Sequence, residues 1–424
     1  MRYSRFLAGT ALAASVALIS AGCSTPAGNG GGDGQEQVTI EFSQWWEGEL
    51  GDGVLQGMID DFESENPNVK VVLVSNPYGA TIDLQIANAA TGTLSDVVAI
   101  NGSSVYDLYA LGALADMEPL MGETGFTLDQ LAAYQPVGEG VRMLNALNFV
   151  YPLFMNDVLL AQADADVPST QAEFSQATAA VSDLAPNVYG WSLPINVESP
   201  AGYDTQAWLW ASGGRLFAED GAPNVNTPET RATFEFLYDE FSNQRITPGA
   251  FTQKEQDKVE EFSAGRTAFM VGSLAHVHGI RQNNPALEFS ITPMPTVDGY
   301  RGGPVMATSA WALGVAESSE HKEAAWALVE YLLSKGINEQ LASLALGFPN
   351  NVDAVPSFVE DDPIFARAFE IYSESTVINE FDGRRNAMDL RRTFNDQLAR
   401  YLSGDQDVDT TLDNIQARWV ETLG

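Results

Sequence analysis

From residue 38 onward, hydrophobic and polar positions follow two different periods. Val38 to Ser43 places apolar side chains at every second position, the period of a strand with one buried face. Val54 to Ser64 switches to helical spacing, with Leu55, Met58, Ile59 and Phe62 on one stripe. Asn66-Pro67 breaks that helix, and Val69 to Val74 is an apolar strand. The pattern predicts a second helix over Ile82 to Ala90, closed by Gly92, and a buried strand over Asp96 to Ile100, ended by Asn101-Gly102. This order predicts parallel strands with crossover helices, and open α/β sheets bind ligands in the loops at the carboxyl ends of their strands. Those loops are Gln44 to Glu49, Ser75 to Tyr78 and Asn101 to Ser104.

The first 37 residues carry another pattern. Arg2 and Arg5 precede an apolar run from Phe6 to Ile19, and the small residues Ser20, Ala21 and Gly22 lead into Cys23. That is the layout of a bacterial export signal, with a run shorter than the roughly 20 residues of a membrane-spanning helix. Ile19-Ser20-Ala21-Gly22-Cys23 resembles a lipobox, with Ser20 where Leu is most common. The resemblance implies that residues 1–22 are a lipoprotein signal peptide and that Cys23 is acylated. Cys23 is the only Cys, so no intramolecular disulfide forms. Residues 23–37, rich in Gly, Ser, Asn and Asp, read as a flexible tether. No later apolar run approaches membrane length.

Charge narrows the partners. The chain has 57 acidic and 21 basic residues, a net charge of −36, and its basic residues cluster no further than Arg384-Arg385 and Arg391-Arg392. Such a surface repels phosphate backbones and excludes a nucleic-acid role. About 385 residues follow the tether, more than one core of ordinary size holds, so two domains are expected.

Catalytic signatures are sparse. The adjacent acids Asp60-Asp61, Glu260-Glu261 and Asp361-Asp362 point apart on helices and read as solvated faces, against the converging pair a glycoside hydrolase needs. There is no Gly-x-Ser-x-Gly elbow, Walker loop or zinc signature. His276-Val277-His278 would share one face at strand spacing, but His321 is distant and no Cys is near, so neither metal nor cofactor is expected.

Phe62 to Val71, Ala90 to Val98 and Leu111 to Asp116 resemble, in order and spacing, the amino-terminal third of the carbohydrate-binding lipoproteins of bacterial ABC importers, the maltose-binding-protein-like family 1 of solute-binding proteins. Phe262 to Met270 with Gly272-Ser273 is similar to that family's second-lobe strand, Glu323 to Leu332 to its late helix, and Gly347-Phe348-Pro349 to the turn after it. The resemblance spans residues 38 to 424. Leu274 stands where the family commonly has Trp, and Met155-Asn156 where it has Tyr-Asn.

The resemblance implies an α/β, two-lobed periplasmic-binding-protein-like fold with several interlobe crossings and a ligand cleft between the lobes. Lobe 1 would comprise 38–148 and 306–352, and lobe 2 149–305 and 353–424. Crossings are expected near Tyr151-Pro152, Gly302-Gly303-Pro304 and Asn350-Asn351, where Gly and Pro absorb dihedral change. The implied function is capture of a sugar, an oligosaccharide, and its delivery to the permease subunits of an ABC transporter. The protein would act as a monomer on the outer face of the cytoplasmic membrane, held there through its lipid anchor only. Binding proteins for a polyamine, peptide or anion remain alternatives, with a secreted glycoside hydrolase more distant.

Sugar recognition calls for flat aromatic faces against C–H patches and polar groups for hydroxyls. The candidates in the first lobe are Trp45, Trp46, Glu47, Tyr78 and Asn101, with one of the two tryptophans facing the cleft and the other the core. In the second lobe they are Trp191, Tyr203, Asp204, Trp208 and Gly272. Trp208 and Trp210 lie two apart and cannot share a helix face, so at least one belongs to the core. Gly303, the segment Met306 to Ala312, Phe348 and Asn350 complete the set.

Overall fold

The computed structural model describes residues 37–102, 104–196 and 203–424. Cys23, the signal segment and the tether up to residue 36 lie outside the described residues.

Strands β1 (Val38–Gln44), β2 (Val69–Ser75) and β3 (Val97–Asn101) run parallel, with β1 in the middle: Val38 pairs with Val69, and Phe42 with both Leu73 and Val97. The helix Val54–Glu65 buries Leu55, Met58, Ile59 and Phe62, the stripe its spacing predicted. The next helix, Tyr78–Thr91, starts earlier than Ile82. The extended Pro77 opens it, and Thr81 Oγ1 donates to the carbonyl of Asn76 at 3.0 Å, a turn the apolar pattern does not encode. The loop after β1 is itself structured, as the short helix Trp46–Leu50.

Strand β4 (Leu144–Val150) joins the first sheet and β5 (Leu153–Asn156) the second, with only Tyr151 and Pro152 between them. The second sheet has the order β6-β7-β5-β8, from β6 (Tyr189–Trp191), β7 (Thr267–Val271) and β8 (Phe289–Thr292). Strand β9 (Val305–Val315) then returns to the first sheet, antiparallel to β3 and to β4. β10 (Phe348–Pro349), where a turn was expected, pairs with β4, and β11 (Thr376–Ile378) pairs with β9. The large sheet is thus ordered β10-β4-β9-β3-β1-β2, with β11 alongside β9. Each sheet is packed by helices, which gives two α/β lobes.

Each sheet has its own core. Trp46, Phe42, Phe62 and Trp326 fill the one around the large sheet, and Phe174, Trp191, Trp208 and Phe269 the one around the small sheet. His276 and His278 are not on a strand: they open the helix His276–Asn283, where a spacing of two turns side chains away from each other. Asn156 caps the helix Asp157–Gln162, its Oδ1 accepting from the Leu159 N–H at 3.1 Å. Among the described residues, no helix is long and apolar enough to cross a membrane.

Candidate functional site

A cavity of about 550 Å³ opens where both sheets present loops to each other. From the large sheet, β1 leads into Trp45, β3 ends at Asn101, β4 brings Phe149, β9 brings Ser309, Ala310 and Trp311, and Tyr78 projects from the start of its helix. Tyr151 lies on the crossing from β4 to β5. From the small-sheet side come Tyr203, in the first turn of the helix Tyr203–Ala211, and Ser273, Ala275 and His276 after β7. Met388 and Arg391 project from the helix Ala387–Leu402.

The aromatic wall is built in two layers. Trp45 meets Tyr78 edge-on at 5.1 Å between ring centroids, and Trp311 edge-on at 6.4 Å. Behind it Trp46, fully enclosed, stacks on Trp311 at 4.9 Å with ring planes 11° apart. Across the cavity the rings of Tyr151 and Tyr203 lie 4.7 Å apart. Such layers fix the rings before a ligand arrives, so little side-chain freedom is lost on binding.

Polar groups converge behind these rings. The Tyr203 hydroxyl accepts from Arg391 Nη2 at 3.1 Å and from Asn379 Nδ2 at 3.2 Å. The Arg391 guanidinium lies over the Tyr203 ring at 4.9 Å and over the Phe381 ring at 5.0 Å. Burial pushes the nearby Asp382 carboxyl up to about 7, against the downward pull of Arg391. Desolvation, followed by the neighbouring Tyr203 and Asp382 side chains, pushes the Tyr78 hydroxyl up to about 12, although the residue as a whole is 43% exposed. Asp382 also abuts the backbone at Gly102: a Cβ there would lie 2.2 Å from Asp382 Cγ.

A second polar group lies deeper. Lys258 Nζ sits 2.9 Å from both Asp204 Oδ1 and Glu255 Oε2, and His276 Nε2 is 3.5 Å from Glu255 Oε1. Burial alone would lower the Lys258 ammonium, and the two carboxylates outweigh it and hold it above its ordinary value. Burial lowers His276 to about 4, so its imidazole is neutral at physiological pH.

The sequence pattern of the bacterial extracellular solute-binding protein family matches residues 47–339. The chain belongs to this family. Among solved structures, the GacH receptor of Streptomyces glaucescens, described unliganded and in complex with acarbose, is 21% identical, with coverage of 91% of this chain and 98% of that one and a TM-score of 0.72. The sugar-binding protein MalE of Xanthomonas citri is 19% identical over 91% and 97% of the two chains, at a TM-score of 0.77. The cyclic α-maltosyl-1,6-maltose binding protein of Arthrobacter globiformis is 20% identical over 92% and 99%, at 0.75. At these identities the likeness establishes the two-lobed fold.

In this solute-binding protein the cavity gathers four of the residues predicted from sequence: Trp45, Tyr78, Asn101 and Tyr203. The others sit elsewhere. Trp46 is in the core, and the Glu47 carboxylate accepts from the Ser75 hydroxyl. Trp191 and Trp208 pack 5.1 Å apart around Phe174 in the core, on the far side of the helix turn that brings Tyr203 to the cavity. Asp204 is spent on Lys258. Gly272 packs against Met270 and Phe154, and Gly303 borders a smaller cavity beside Tyr300 and Pro304. Phe348 is enclosed by Phe369 and Tyr372, while Asn350 ties Ala133, Asn145 and Asn148 together through hydrogen bonds.

Sequence reasoning overlooked Glu49, Phe149, Met388 and Arg391 as wall residues. It took Tyr151 for a crossing only, weighed His276 only as a metal ligand, and left Trp311 unnamed inside the segment Met306 to Ala312. One signal was available for Arg391. It falls on the buried stripe Ala387, Leu390, Phe394 and Leu398 of its helix, where a charge has to be explained.

Proposed function

We propose that this solute-binding protein captures a sugar, an oligosaccharide, for an ABC importer and hands it to the membrane permease without chemical change. One observation carries the reading: the cavity walls combine the rings of Trp45, Tyr78, Tyr151, Tyr203 and Trp311 with the polar side chains of Asn101, Ser273 and Ser309. Rings cover the C–H faces of a sugar and the polar groups meet its hydroxyls, and about 550 Å³ is ample for such a ligand. The sugar ligands named for the Streptomyces, Xanthomonas and Arthrobacter proteins support the same class.

In this reading lobe 1 is 38–148 with 306–352 and lobe 2 is 149–305 with 353–424. They close on the ligand as a monomer by hinge motion at Tyr151-Pro152, Gly302-Gly303-Pro304 and Asn350-Asn351. Trp45, Tyr78, Asn101 and Tyr203 contact the ligand. Residues 1–22 direct export and acylated Cys23 holds the protein at the outer face of the membrane. Cys23→Ala then releases it into the medium, and unchanged membrane association of that variant refutes the anchor.

The ligand class is tested by thermal-shift screening against neutral oligosaccharides, polyamines, peptides and inorganic anions, since whatever binds only the folded state raises the melting temperature. The reading expects the oligosaccharides alone to do so. A shift confined to any other class overturns it.

A further inference from the structure

Arg391 is 8% exposed, yet among the described residues no carboxylate lies within 4.0 Å of its guanidinium. Its Nη2 is committed to Tyr203 Oη and Asn379 Oδ1, and Nε is shut away without a hydrogen-bond partner. Among the described residues Nη1 makes no hydrogen bond, and Arg391 lines the cavity. A guanidinium keeps its charge under all ordinary conditions, so desolvating it is costly unless oxygen acceptors surround it. The charge of Asp382 bears on the guanidinium from beyond 4.0 Å, and burial holds that carboxyl itself up to about 7. The π-face of Tyr203 adds a modest attraction. The protein therefore maintains a positively charged donor, fixed in orientation by Tyr203, Asn379 and Phe381, that is short of acceptors until something enters the cavity.

We propose that Arg391 is a specificity-determining contact of the site, donating from the cavity side of its guanidinium to oxygens of the bound sugar. This rests on the sugar reading and deepens it. The shared chemistry is one or two oxygen acceptors on the ligand edge, supplied either by adjacent ring hydroxyls or by the carboxylate of a uronic acid. Tyr203 presents its ring to the sugar face while its hydroxyl holds Arg391, so stacking and edge recognition are set by one pair of residues. Lys would not replace Arg here, because an ammonium lacks both the planar fork and the stacking on Tyr203.

The test is titration calorimetry of the parent, Arg391→Gln and Arg391→Lys with maltotriose and with trigalacturonate, alongside the melting temperature of each protein. Both variants are expected to lose at least tenfold in affinity for whichever sugar the parent binds. If the acceptor is a carboxylate, the parent prefers trigalacturonate to its methyl ester and Arg391→Gln loses that preference. If the acceptors are hydroxyls, the parent binds maltotriose and the loss appears there. Should Arg391→Gln fail to fold, Arg391→Lys decides. Parent-like affinity in a folded variant overturns the role of Arg391 while leaving the sugar reading intact. Binding of neither sugar by the parent, with no response to other oligosaccharides, overturns both.

Discussion

Lys258 Nζ lies 2.9 Å from Oδ1 and 3.0 Å from Oδ2 of Asp204, and the two side chains have only 1% and 2% of their surface in solvent. A bidentate pair so fully enclosed fixes the helix Tyr203–Ala211 against the helix Glu255–Ser263, and with it the position of Tyr203 at the cavity. Lys258→Met strands the Asp204 charge in the interior and is expected to cost about 3 to 5 kcal/mol, whereas Asp204→Asn leaves Lys258 its second carboxylate, Glu255 at 2.9 Å, and is expected to cost less. Denaturant unfolding of the two variants measures this, and a Lys258→Met cost under about 1 kcal/mol would contradict it.

The raised Asp382 makes stability depend on pH. An unfolded Asp titrates near 3.9, whereas burial holds this one up to about 7. Between those values the folded protein keeps a proton that the unfolded chain has released. The group's contribution is thus most favourable below about pH 4 and declines by about 1.4 kcal/mol per pH unit as pH rises towards 7. Asp382→Asn should gain stability relative to the parent across that interval. The readout is the difference in melting temperature between the two proteins as a function of pH, and a difference that stays constant from pH 4 to 7 refutes the assignment.

Trp45 and Trp46 are both buried neighbours, but only Trp45 also lines the cavity. Trp46→Ala removes a ring stacked on Trp311 in the core and is expected to lower stability by about 3 to 5 kcal/mol through the cavity it leaves. Trp45→Ala is expected to cost on the order of 2 kcal/mol in sugar affinity, about thirtyfold, if its ring meets the ligand. Paired melting and binding measurements separate the two, and parent-like sugar binding by Trp45→Ala removes it from the site.

At Gly102 the absence of a side chain lets the loop after β3 rest against Asp382, and the Gly383 N–H donates to the Gly102 carbonyl at 2.9 Å. A methyl group there has no room, and the short, buried Asp382 has little freedom to move aside. Gly102→Ala is expected to cost about 1 to 3 kcal/mol through overpacking, and to weaken binding because Asn101 precedes it. An unchanged melting temperature would show that the contact yields easily.

What the sequence made legible was what is encoded locally. Leu55, Met58, Ile59 and Phe62 declare their helix, and the runs that became β1 to β3 declare theirs, because each pattern is complete within a few residues. β10 is only two residues long and exists through pairing with β4, some 200 positions earlier, which no local pattern reveals. His276 and His278 fit a strand by spacing until the chain around them turned into a helix. Trp191 and Trp208 were read as ligand-facing because a core and a sugar site draw on the same rings, and only tertiary packing tells them apart. Arg391 was lost for a similar reason: the hydroxyl that orients it belongs to Tyr203, 188 residues away.

The position of β9 governs how this protein is made. Val97 of β3 pairs with Val315 and Leu144 of β4 with Leu313, so the strand that belongs between β3 and β4 is synthesised long after both. Until residue 315 is available, β3 and β4 each carry an open edge and nothing joins β4 to the parallel strands β1 to β3. Non-local closure of this kind slows folding and leaves unpaired edges exposed to self-association.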